Sequence, residues 1–304
     1  MQTLTVGADI YDGNPIFFPE NTAPADSGPY RQITGAKRAE ELDFDSLMTL
    51  RAPRLGVAAD GVSQLVLRFN ATTAGRFSAN LIDPEDGQVF MLNGGKTCET
   101  ALGHYAFAIY TAPDGFNRPA DAIEERMGRA AARMAGLAVS FVSQATERHL
   151  HHAVEIKITR PPVVLIHGLF DNGADAWLTA TKGGRSLGSI LDEKGFEVFV
   201  IDYSASNGRG GDPSSFYDNR HILWTDGAAG FLGTSYSVVR NADTGEEAKA
   251  GGIARALEYY RDELKLAAAR ADVIGHSMGG VLARVYAGEE AASASRECGV
   301  MSAY

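Results

Sequence analysis

The sequence predicts an α/β sheet in its C-terminal half, preceded by a mostly-β, sandwich-like domain. Three observations carry this. Short runs of alternating apolar and polar residues recur between residues 62 and 159. After Pro161-Pro162, continuous apolar runs alternate instead with helical patterns. The third such run, ADVIG, opens directly into Gly275-His276-Ser277-Met278-Gly279, which places a serine between two glycines.

In chain order, residues 1–45 are rich in Pro, Asn, Asp and Gly and read as an irregular lead-in. A mostly-β domain is expected over 46–160. VSQLVLRF (62–69) sets Leu65, Leu67 and Phe69 on one face, and HYAFAIYTAP (104–113) does the same for Tyr105, Phe107 and Ile109. LAVSFV (137–142) alternates again. In AVEIKIT (153–159), Val154, Ile156 and Ile158 oppose Glu155, Lys157 and Thr159. This period of two is that of half-buried antiparallel strands. The clusters DPEDG (83–87) and NGG (93–95) supply turns. ADAIEERMGRAAARMAG (120–136), rich in Ala and charge, predicts a short helix. Strands at this spacing suggest a β-sandwich.

The second domain is expected over 161–304. Four aliphatic residues in a row, Val163 to Ile166, predict a strand buried on both faces, as in a parallel sheet covered by helices. GRSLGSILDEKGF follows, with Leu187, Ile190 and Leu191 at helical spacing, and FEVFVIDY (196–203) is a second buried strand. GGIARALEYYRDELKLAAAR predicts a long helix with Ile253, Leu257, Tyr260, Leu264 and Ala268 on one face. ADVIG is the third strand. Strand–helix–strand–helix–strand order means right-handed crossovers. The segment from Ser204 to the long helix, about 45 residues, reads as a loop leaving the carboxyl end of a strand, where open α/β sheets bind ligands. Its aromatics Phe216, Tyr217, Trp224, Phe231 and Tyr236 are candidates to cover an apolar acyl or aromatic substrate, as is Phe170 after the first strand.

Composition limits the function classes. The net charge is −10 and no basic block occurs, which argues against nucleic acid as a partner. No apolar run reaches the roughly 18–20 residues that span a bilayer, so membrane contact is expected only at a substrate interface. MQTLTVGADIYDGNPIFFPEN lacks the basic start and long apolar core of a signal peptide. Cys98 and Cys298 are far apart, and their number does not decide the redox compartment. His149-Leu150-His151-His152 alternates faces on a strand and has no Cys or carboxylate cluster beside it, so no metal is expected. No cofactor is implied.

Gly275 to Gly279 fits G-x-S-x-G in the setting that gives the motif meaning, strand before and helix-forming VLARVYA after. The serine must sit on a sharp turn at the carboxyl end of the sheet, and side chains at 275 and 279 would collide with the neighbouring strand and helix. The new helix also aims its free N–H groups and positive end at a reacting carbonyl.

Together, VVLIHGLF (163–170) and DVIGHSMGGVLARVYA (272–287) resemble the α/β-hydrolase family, within it the bacterial lipases and esterases. The resemblance spans roughly residues 160–290 and implies a partial α/β-hydrolase sheet. It further implies Ser277 as nucleophile, with the backbone N–H groups of Leu169 and Met278 as oxyanion donors. His167 is expected to anchor its loop rather than act as base, and His276 to pack around the elbow. Separately, ADGVSQLVLRF resembles a strand of bacterial immunoglobulin-like modules, which implies an extracellular or cell-surface setting.

In that family the acid and then the histidine follow the nucleophile in chain order. Only 304 − 277 = 27 residues follow Ser277, and none is histidine. Asp202 and His221 precede it and fall outside the expected order. The expectation is therefore an ester hydrolase whose acid and base are missing from this chain, acting on an ester or lipid-like substrate. Competing readings are a surface-binding module with a vestigial hydrolase half, and an acyltransferase or thioesterase using the same elbow.

Overall fold

A computed structural model of the chain describes residues 6–12, 44–50, 53–126, 132–146, 149–180, 184–204 and 238–297. The chain divides into two compact units. The first comprises Ala36–Pro161, the strand Val6–Asp12 and a returning segment, Tyr260–Arg270. The second comprises Pro162–Tyr259 and Ala271–Tyr304.

In the first unit the elements run β1 (Val6–Asp12), α1 (Phe44–Thr49), β2 (Gly56–Ala58), β3 (Gln64–Ala71), β4 (Gly75–Leu81), β5 (Gln88–Met91), β6 (Cys98–Thr100), β7 (Gly103–Thr111), α2 (Ala122–Arg126), β8 (Ala132–Ser143) and β9 (His149–Thr159). One sheet is antiparallel in the order β1-β3-β7-β5, with β6 also paired to β7. The other runs β2-β9-β8-β4, with the returning strand Leu266–Ala267 beside β2. Their apolar faces meet: Leu65, Leu67, Phe69, Ala108 and Tyr110 pack against Phe77, Leu137, Phe141, Val154, Ile156 and Ile158. Phe77 joins the two layers, its ring 5.3 Å from Phe69 and 4.6 Å from Phe141.

The predicted inward faces of β3 and β9 agree with this core. On β7 the predicted trio points the other way. Tyr105, Phe107 and Ile109 join Tyr11, Leu47 and Val66 in a smaller cluster under α1, so β7 is covered on both sides. Within the expected lead-in, β1 pairs with β3 over seven residues, placing Ala8 and Ile10 on the main core while Asp9 bridges to Arg68 at 2.9 Å. Within the helix expected over 120–136, Ala122–Arg126 form α2. From Ala132 onward β8 pairs with β9, and the long ladder overrides the alanine-rich composition.

The second unit contains β10 (Val163–Ile166), α3 (Gly173–Leu178), α4 (Leu187–Glu193), β11 (Val198–Ile201), β12 (Val238–Arg240), β13 (Glu247–Ala250), most of α5 (Ile253–Asp262), β15 (Asp272–Gly275) and α6 (Met278–Glu297); the strand Leu266–Ala267 is β14. Its sheet runs β12-β13-β11-β10-β15, parallel except for the hairpin strand β12. Every residue of β10 and β11 is buried, as their unbroken apolar runs predict. Val163, Leu165, Val198 and Val200 pack against Trp177 and Leu178 of α3. Side chains start both covering helices: Asn172 accepts the Asp175 N–H at 2.9 Å and Ser186 the Ser189 N–H at 3.0 Å.

Two expectations change here. The C-terminal end of the supposed long loop is a hairpin, β12–β13, whose turn forms because Asn241 Oδ1 accepts the Asp243 and Thr244 N–H groups, both at 2.9 Å. The long helix stops at Asp262. Lys265 takes a left-handed conformation (φ 55°), and Leu266 and Ala267 turn into the first unit's sheet, where both are fully buried. Ile253, Leu257 and Tyr260 are buried as predicted, but Leu264 and Ala268 lie beyond the helix. Tyr260–Arg270 thus sits with the first unit, although it lies within the 161–304 stretch expected to form the second.

Candidate active site

β10 and β15 are parallel neighbours, so the segments leaving their carboxyl ends emerge side by side. His167-Gly168-Leu169-Phe170 leaves β10, and His276-Ser277 leaves β15. The two are joined where the His276 N–H donates to the Ile166 carbonyl at 3.0 Å.

Ser277 has φ 54°, in the left-handed region that a residue with a β-carbon rarely adopts. The turn closes through Gly279 N–H to His276 O at 2.9 Å and Gly280 N–H to Ser277 O at 3.0 Å. Its sharpness accounts for both flanking glycines. A β-carbon at Gly279 would lie 2.4 Å from the Ile166 oxygen and 2.6 Å from that of His167. One at Gly275 would meet the Gly280 nitrogen at 2.6 Å. Ser277 ends up exposed to solvent with no hydrogen-bond partner for its hydroxyl among the described residues. Met278 starts α6.

The facing turn comes equally close. A β-carbon on Gly168 would lie 2.9 Å from that of Ser277 and 2.9 Å from His276 Nδ1. Leu169 and Phe170 follow, both exposed, with Phe170 left-handed at φ 64°. Among the described residues, neither the Leu169 nor the Met278 backbone N–H donates a hydrogen bond. The structure therefore brings Ser277, Met278 and the Leu169 turn together.

His167 is fully buried and clamped. The Tyr203 N–H donates to its Nε2 at 3.1 Å, so that nitrogen is an acceptor and the proton sits on Nδ1, which donates to the Gly168 carbonyl at 2.9 Å. The Tyr203 hydroxyl donates to the His167 carbonyl at 2.5 Å, and the rings stack 4.0 Å apart at 13°. Burial, helped by the Asp171 carboxylate, pushes the Tyr203 phenol well above its ordinary pKa, which keeps the hydroxyl protonated as a donor. His167 thus anchors its loop, as expected.

Asp202 Oδ1 lies 3.5 Å from His167 Nε2, whose lone pair the Tyr203 N–H already occupies. His167 beside it, and the Ser204 N–H that donates to it at 2.9 Å, hold its carboxyl well below the usual carboxylate range. His276, expected to pack around the elbow, has its surface exposed instead. Phe216, Tyr217, His221, Trp224, Phe231, Tyr236 and Cys298 lie outside the described residues. Among the described residues, no group of three or more His, Cys, Asp or Glu is placed to hold a metal, and no helix is long and apolar enough to cross a membrane.

Residues 161–296 match the family model described as alpha/beta hydrolase fold. The match covers both turns of the site and the helices and strands that hold them, and it supports a hydrolase-type function for this unit. A search among curated proteins gives no match. Among solved structures, one similar chain is that of the "Crystal structure of Bacteroides thetaiotamicron EndoBT-3987 with Man5GlcNAc product", at 10% identity and a TM-score of 0.22. The alignment covers 72% of this chain and 50% of that one, so the chain spans half the length of that structure. At that TM-score the likeness bears on neither fold nor function.

Sequence reasoning missed Tyr203. Its one signal was an aromatic residue just after a buried strand, at the carboxyl end where such sheets place their sites. It also missed that Gly168 has to be small because Ser277 stands against it.

Proposed function

We propose that this unit is a serine hydrolase of the lipase/esterase kind, with Ser277 as its nucleophile. The observation that supports this most is the left-handed backbone of Ser277 on a turn that glycine must flank, facing a second turn whose Leu169 N–H donates to no described residue. A serine with φ 54° that merely closed a turn would be an unexplained strain of about 1–3 kcal/mol. At a strand–helix elbow the same strain holds the hydroxyl out for attack.

In the reaction, Ser277 Oγ forms a bond to the ester carbonyl carbon and gives its proton to a base. The carbonyl oxygen becomes an oxyanion, held by the Leu169 and Met278 N–H groups. Such a donor is worth roughly 2.7–4 kcal/mol of barrier where it has been removed from other enzymes. Collapse breaks the bond to the alcohol, which leaves with a proton, and water then releases the acid from Ser277. Among the described residues none is hydrogen-bonded to Ser277 Oγ to serve as that base. Phe170, exposed next to Leu169, is a candidate to line the substrate, as are Phe216, Tyr217 and Trp224.

Single-turnover release of p-nitrophenolate from a p-nitrophenyl ester tests this reading. Acylation mapped to Ser277 and lost in Ser277→Ala is expected. Release that persists unchanged in Ser277→Ala contradicts it.

A further inference from the structure

Tyr203 lies two residues past the end of β11, not on either turn of the candidate site, yet it is only 3% exposed and makes three separate contacts with His167. Those contacts form a chain that ends at an oxyanion donor.

The first link is the tautomer. A neutral imidazole has one N–H and one lone pair, and nothing in the ring itself fixes which nitrogen carries the proton. The Tyr203 backbone N–H points at Nε2 from 3.1 Å, which requires a lone pair there and leaves the proton on Nδ1. The second link is the carbonyl that Nδ1–H holds, Gly168 O, at 2.9 Å. The third is covalent. The Gly168 carbonyl and the Leu169 N–H belong to one planar trans peptide, so fixing the oxygen on one side aims the N–H to the other. The Tyr203 hydroxyl holds the preceding carbonyl, that of His167, at 2.5 Å. Both peptide planes around Gly168 are therefore pinned, although glycine is the residue whose backbone rotates most freely.

We infer that Tyr203 is a positioning residue for the oxyanion site: it sets the His167 tautomer and, through the Gly168 carbonyl, the direction of the Leu169 N–H. This rests on the reading of Ser277 as nucleophile. Preorganised donors stabilise charge because they need not reorient as it develops. A Leu169 peptide free to rotate would present its carbonyl oxygen neighbour, Gly168 O, to the oxyanion for part of the time.

The test uses the full 304-residue chain and a fluorophosphonate probe, in which Ser277 Oγ bonds to phosphorus as fluoride leaves. Tyr203→Phe keeps the ring stack and the backbone N–H but removes the hydroxyl. It should lower the maximal labelling rate about tenfold while leaving the probe's half-saturating concentration unchanged. Tyr110→Phe is the matched control, because its hydroxyl makes an equally short buried bond, to the Asp86 carbonyl at 2.5 Å, in the first unit. It should leave labelling unchanged. His167→Asn, which keeps a donor where Nδ1 stands, should retain more of the rate than His167→Leu. Nitrogen-15 spectra of the histidine-labelled wild-type chain provide a readout that needs neither activity nor a variant. They should show His167 protonated on Nδ1. A proton on Nε2, or an unchanged maximal rate in Tyr203→Phe, overturns the positioning role while leaving Ser277 as nucleophile. Failure of the wild-type chain to label at Ser277 overturns the nucleophile reading and this role with it.

Discussion

Gly168 and Ser277 stand so close that a β-carbon on the glycine would lie 2.9 Å from the β-carbon of the serine. The two residues leave adjacent parallel strands, and their contact sets how near the Leu169 turn comes to Ser277. Gly168→Ala should push the turns apart and cut Ser277 acylation by about 10²-fold, the cost of roughly 1 Å of misplacement. Labelling kinetics check this; an unchanged rate would mean that the contact does not set the site.

Gly279→Ala should act on stability. Its β-carbon would meet two backbone oxygens, at 2.4 and 2.6 Å, and backbone atoms of a buried parallel strand cannot swing aside. The expected loss is about 1–3 kcal/mol, the usual range for overpacking. Denaturant unfolding of the variant against wild type measures it.

The first unit depends on Arg118. Its guanidinium bonds Glu124 through two nitrogens, each at 2.9 Å, and Asp86 at 2.8 Å, and both carboxylates are buried. Arg118→Met should cost roughly 3–5 kcal/mol, because it removes the main counter-charge from two buried carboxylates. An unfolding midpoint within error of wild type would contradict this.

The same cluster predicts an acid limb. Burial alone would raise the Glu124 pKa, but Arg118 and the Asp121 and Met134 N–H groups outweigh it and lower it from 4.5 to about 2. A depressed folded pKa stabilises above the unfolded value, so the contribution is complete above about pH 4.5 and lost as pH falls toward 2. Linkage puts it on the order of 3 kcal/mol. Asp86, raised mainly by burial, opposes part of this. Urea unfolding across that window should show the loss in wild type and a flatter profile in Glu124→Gln.

Asp60 is the other staple. Its carboxylate accepts Val62 N–H at 3.1 Å, Ser63 N–H at 2.7 Å and Ser63 Oγ at 2.6 Å, then Ala269 and Arg270 N–H, each at 3.1 Å. Asp60→Ala strands several donors, among them those of fully buried Ser63, and should cost about 2–3 kcal/mol. Proteolysis within 263–271 should quicken in the variant. Equal cleavage rates would show that the returning segment is held by something else.

Much of this was legible in the sequence because single residues carried strong signals. Val163–Ile166 announced a doubly covered strand, and the glycines at 275 and 279 announced a turn that tolerates no side chain. The alternation of Val154, Ile156 and Ile158 gave the inner face of β9. The misses share a physical cause: partners far away in the chain. The stretch after α5 has helical spacing, yet Leu266 and Ala267 are taken by β2, more than 200 residues earlier (266 − 56 = 210). Tyr105, Phe107 and Ile109 do share a face, but α1 supplies a second core for them, which alternation alone cannot foresee. Tyr203 was invisible because its role lies in a hydroxyl and an N–H meeting a residue 36 positions away.

The central claim, the proposal that Ser277 is a nucleophile, is tested most directly by peptide mass spectrometry after fluorophosphonate treatment of the 304-residue chain. The account predicts one phosphonyl adduct, on Ser277, absent in Ser277→Ala. A chain that stays unmodified at Ser277, or is modified equally at other serines, would contradict it.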